Sequence, residues 1–138
     1  MSEERVLIVV TPSVTGEQLS GAVPPGELKG SDLKVVVPAV AGSALGYWFS
    51  DERAIERAKE AADRARDEIG GQAAAVDSRA GDCDPELAVH DALATFNADR
   101  IIVVHRSDHP GYREKKLDAE RLEPRLHRRV DERLVVAG

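Results

Sequence analysis

Four short runs of apolar, largely β-branched residues punctuate the chain: RVLIVV (5–10), LKVVVPAV (33–40), RIIVV (100–104) and RLVVAG (133–138). They are continuous rather than alternating, which predicts strands covered on both faces, as in a parallel sheet. A fifth run, QAAAVDS (72–78), is dominated by alanine but lies between two helical patterns, and that position makes it the remaining strand.

Between the runs the period changes to that of a helix. In SDERAIERAKEAADRARDEIGG, alanines 54, 58, 61, 62 and 65 recur with Ile69 at three- and four-residue spacing and form one apolar stripe. Glu60 and Arg64 make a favourable i,i+4 pair on another face, with Ser50 or Asp51 suited to cap the start and Gly70 the end. In GDCDPELAVHDALATFN, Asp84 has the character of an N-cap and Pro85 of a first helical residue, with Val89, Ala92, Leu93 and Phe96 as the buried face.

Breakers limit the other two crossovers. Gly21, Pro24, Pro25 and Gly26 confine the first helix to about Thr15–Val23. Pro124 falls inside the stripe Ala119, Leu122, Leu126, Val130, so a kink or a helix restart is expected there. Strands and helices alternate throughout, which predicts one three-layer α/β domain over residues 1–138 with a five-stranded, mostly parallel sheet.

Charge narrows the partners. The 138 residues carry a formal net charge of −6, so a clustered positive field for nucleic acid is not expected. From Arg106 to Arg133, nine Arg and Lys stand against seven Asp and Glu, which reads as a solvated helix face of mixed charge. Cys83 is the only cysteine, so no internal disulfide forms and a reducing, cytoplasmic setting is expected. The acidic start lacks the features of a signal peptide, and no run reaches the roughly 20 apolar residues of a membrane span.

Candidate chemistry belongs at the carboxyl ends of the strands, where loops and helix N-termini converge. Neither G-x-x-x-x-G-K-[ST], G-x-G-x-x-G nor G-x-S-x-G occurs, and enzyme activity and a metal site are not expected. His105 and His109 share a loop with Pro110 rather than a helix, and His90, Asp91 and His127 fall off the apolar stripes. The carboxylates flanking Cys83 suit the start of the following helix. Tyr47, Trp48 and Phe49 suit either a stacking platform for a planar ligand or an anchor for their loop.

GDCDPELAVHDALATFNADRIIVVHR (81–106), with the order of elements around it, resembles the universal stress protein (UspA-like) family. GYWFSDERAIERAKEAADRA resembles, more narrowly, an actinobacterial branch of it with an aromatic-rich W-x-SDE before an alanine-rich helix. The resemblance implies a Rossmann-like sandwich of the adenine nucleotide alpha hydrolase-like kind. Nucleotide-binding members carry an aspartate after strand one and G-x2-G-x9-G-[ST] after strand four. This chain has Thr11 at the first place, and HRSDHPGYREKKLDAERLEP with Gly111 as its sole glycine at the second. Spaced glycines let amides approach phosphate, so an ATP cradle of the family type is not expected.

Carried over by position, Thr11, Pro12, Pro38, Ala39, Gly81, Asp82, His105 and Gly111 would line the cleft, where ATP or AMP is the alternative ligand. The expected function is a non-catalytic stress or regulatory binding protein with no cofactor. The family commonly dimerises through its last strand, so a homodimer through the apolar C-terminal strand is expected. SVTGEQ (13–18) also resembles the phosphate loop of flavodoxin-like proteins, which makes FMN a further alternative.

Overall fold

The computed structural model describes residues 4–11, 14–24, 26–38, 52–69, 75–81, 85–106 and 119–135. Nine elements follow one another: β1 (Arg5–Val10), α1 (Gly16–Ala22), β2 (Asp32–Pro38), α2 (Glu52–Ile69), β3 (Ala75–Gly81), α3 (Pro85–Thr95), β4 (Arg100–Arg106), α4 (Ala119–Leu126) and β5 (Arg129–Val135). The strands form one sheet in the order β3-β2-β1-β4-β5, parallel throughout. This is a three-layer α/β fold of the Rossmann-like kind, as the alternation of periods predicts.

Two cores lie on the two faces. Val6, Ile8, Val10, Val35, Val37, Ile102 and Val104 pack beneath α1 and α2, where Leu19 and alanines 58, 61, 62 and 65 face the sheet. Leu7, Val9, Val36, Ile101 and Val103 pack beneath α3 and α4, against Val89, Ala92, Leu122 and Leu126. Successive residues of one strand therefore feed opposite cores, which is why the runs are apolar without alternation. Each fully buried Leu or Ile contributes about 1.5–3 kcal/mol through water exclusion.

The short first helix is fixed by its cap. Thr15 Oγ1 accepts from the Gln18 amide at 3.1 Å while Gln18 Oε1 accepts from the Thr15 amide at 2.9 Å, a reciprocal capping box. Val23 ends the helix, and the chain turns through Gly26 and Gly30 at φ of 94° and 76°, conformations that strain any residue with a Cβ.

Three boundaries differ from the pattern. β3 runs Ala75–Gly81 rather than 72–78, in register with Asp32–Pro38. Pro124 neither divides nor restarts α4, which is one helix over Ala119–Leu126. His127 then takes a left-handed conformation at φ 52° and stops the helix, so Val130 belongs to β5. The last strand accordingly begins four residues before the predicted RLVVAG. Its central residues are Asp131, Glu132 and Arg133, so part of the expected charged helix face is strand. Phe96 sits just past α3, partly buried against the second core.

Candidate functional site

β1 leads through α1 to β2 on one side, and β4 leads through α4 to β5 on the other. The chain diverges above the β1–β4 pair, and that is where a parallel sheet opens a crevice for ligands. Four predicted site residues stand in a row across this carboxyl edge, one per strand or strand end: Gly81, Pro38, Thr11 and His105. Pro12, Ala39, Asp82 and Gly111 lie outside the described residues. So do Tyr47–Phe49, Cys83, Asp84, Asp108, His109, Arg113 and the proposed caps Ser50, Asp51 and Gly70.

Three of the four turn inward. Thr11 is fully buried; its amide donates to the Val104 carbonyl at 3.2 Å, and its own carbonyl accepts from the Val14 amide at 3.1 Å. The second bond ties Val14, just before the capping box of α1, to the end of β1. A Cβ on Gly81 would lie 2.7 Å from Ala88 Cβ and 3.0 Å from Val36 Cγ1, so this glycine lets α3 close onto the sheet. His105 is 9% exposed, and its Nε2 lies 2.7 Å from Glu132 Oε2 across the β4–β5 pair. The carboxylate fixes the ring orientation. Pro38 closes β2, buried and in register with Gly81.

The flavodoxin-like stretch has its own occupants. Thr15 and Gln18 are engaged with each other, and α1 has only seven residues. This capping box closes the amino-terminal end of α1.

A second constellation lies on the α1 face beneath β4 and β5. Arg133 grips Glu27 with both nitrogens of its fork, one at 2.7 Å from Oε2, and donates to the Ala22 carbonyl at 2.8 Å. Arg100 pairs with Glu4 at 3.1 Å and Asp131 at 3.3 Å, and lies 3.8 Å from Glu27. The hydrogen bond from Arg133 is the main reason the Glu27 carboxyl is held below its ordinary value of 4.5; partial burial opposes it, and the charges of Arg133 and Arg100 add to it. Glu27 in turn raises Arg133. On the opposite face Arg125 reaches Glu86 at 2.6 Å, tying α4 to α3. Arg128 binds the Ala98 and Leu126 carbonyls and Asn97, tying the entry of β5 to that of β4.

The sequence pattern did not single out Glu132, Glu27 or Lys34. Lys34 interrupts an otherwise apolar run and lies 7% exposed inside β2. That interruption was the available signal. Among the described residues no group of three or more His, Cys, Asp or Glu is placed to hold a metal ion, and no helix is long and apolar enough to cross a membrane. No protein-family model matches the chain, and no curated protein matches it.

Proposed function

We propose that the chain is a non-catalytic regulatory binding domain of the universal-stress-protein kind that does not hold ATP in that family's manner. One observation carries the reading: at the carboxyl edge of the sheet, Thr11, Gly81 and His105 are each committed to an internal contact. A triphosphate is held by amides and cations presented outward, whereas the Thr11 amide is bound to the Val104 carbonyl and the His105 ring to Glu132. The lone glycine of the segment after β4, Gly111, supports the same conclusion from the sequence.

The reading includes self-association through β5. That strand is an edge of the sheet, and its Leu134 is 55% exposed. Asp131 and Arg133 are bound to Arg100 and Glu27 on one face, and Glu132 to His105 on the other. Three central charges of the strand are thus engaged with neighbours in the fold, while Arg129 stays exposed at its start.

Calorimetric titration of the purified chain with ATP and with AMP tests the proposal. The expected result is no saturable heat at micromolar nucleotide. Micromolar binding of either would replace it with a nucleotide-binding domain that uses a divergent loop.

A further inference from the structure

Lys34 is the one lysine or arginine among the described residues that is buried as a whole residue. Its ammonium donates to Thr95 Oγ1 at 2.9 Å and, among the described residues, enters no ion pair. The Thr95 hydroxyl turns its hydrogen toward the Ala92 carbonyl at 3.4 Å, which leaves an oxygen lone pair for the lysine. An ammonium has three donors, and only one is used here. Burial of such a group is costly unless further acceptors meet it.

The space around Lys34 is a cleft of about 380 Å³ between the amino-terminal half of the sheet and the end of α3, lined also by Arg5, Asp32, Asp77, Thr95 and Phe96. Its charges alternate. Asp32 precedes Lys34 by two positions on the same face of β2, Asp77 is the register partner of Lys34 on β3, and Arg5 is the register partner of Asp32 on β1. Two cations and two anions thus border one opening. Thr95, the last residue of α3, lines it, and the carboxyl end of a helix favours positive charge.

We propose that this cleft binds a small zwitterion of the amino-acid type. The ligand carboxylate sits on Lys34 and Arg5, and the ligand ammonium sits between Asp32 and Asp77 beneath the end of α3. Its side chain lies toward Phe96. A phosphate or dicarboxylate would meet two like charges at Asp32 and Asp77, and a diamine would meet two at Arg5 and Lys34. Only a ligand carrying both signs satisfies all four. The volume is near the lower end of the roughly 300–1,000 Å³ of small-molecule pockets, which suits a free amino acid better than a nucleotide.

The cleft lies at the opposite end of the strands from Thr11 and His105 and shares no residue with that edge.

The test is a titration of the full chain with each common amino acid, read by amide chemical shifts, with inorganic phosphate, acetate and putrescine as controls of one charge sign. The expected result is saturable binding of at least one amino acid with Kd below about 1 mM, perturbing the amides of Lys34, Asp77 and Phe96, and at least about tenfold tighter than any control. Lys34→Met should weaken that binding by at least about tenfold, and Asp77→Asn, a change at the exposed rim, should also weaken it. If Lys34→Met fails to fold, Asp77→Asn decides alone. Failure of every amino acid to bind, equal binding of a single-sign control, or wild-type affinity in the folded variants would overturn the proposal.

Discussion

Replacing Glu27 with Gln removes one charge from the α1 face while keeping the side chain's shape and one carbonyl acceptor. In the native chain both guanidinium nitrogens of Arg133 meet this carboxylate, with Arg100 3.8 Å away. At an effective dielectric of about 20, opposite charges about 4 Å apart attract by about 4 kcal/mol. Ordering two long side chains and stripping part of their water takes back most of that, because each such side chain loses up to about 1.5–2 kcal/mol of rotamer freedom. Glu27 keeps 26% of its side-chain surface in solvent, so screening reduces the remainder further. A loss of about 1 kcal/mol is therefore expected, within the range of about 0.5–1.5 for a net hydrogen bond and below that of a fully buried pair. With a urea slope of about 1–3 kcal/mol per molar, the unfolding midpoint should fall by about 0.3–1 M at pH 7.

Acidity supplies the control. The folded-state pKa of Glu27 is depressed, so its contribution is complete above the unfolded-state value near 4.5 and is lost as the pH falls through the lower folded-state value. The gap between native and variant midpoints should be full at neutral pH and narrow below about pH 4.5, since Gln does not titrate. Equal midpoints at pH 7, or a gap that persists unchanged into acid, would refute the assignment of this stability to the ion pair.

Two further outcomes are expected. Gly81→Ala should lower stability by about 1–3 kcal/mol in chemical denaturation, since the new methyl meets Ala88 Cβ at 2.7 Å and neither the helix nor the strand can yield cheaply; an unchanged midpoint would remove the packing role given to this glycine. Light scattering should report a dimer that Leu134→Arg dissociates, whereas a monomeric native chain at high concentration would count against pairing through β5.

The arrangement of strands was legible where burial on both faces wrote continuous apolar runs, as in β1 and β4. The α2 stripe was legible because alanines 58, 61, 62 and 65 meet the sheet at helical spacing. Its outer members, Ala54 and Ile69, lie outside the described side chains. β5 was misread because an edge strand covered on its faces by ion pairs carries charge where a central strand carries valine. The stripe ending at Val130 continued at helical spacing by coincidence, and only the left-handed turn at His127 reveals the break. The pairs His105–Glu132 and Arg133–Glu27 join residues 27 and 106 positions apart, and no local pattern announces such contacts. The contact of Gly81 with Ala88 of the following helix was likewise invisible in the local pattern.

The central position of β1 bears on how the chain reaches this state during synthesis. One flank of β1 finds β2 soon after it is made, but the other must wait for β4, since Arg5 meets Asp99 across 94 positions of sequence. Until then a nascent ribbon of valine, leucine and isoleucine has an open flank, ready to stick to other unfinished chains. Late closure of this kind slows folding and favours aggregation.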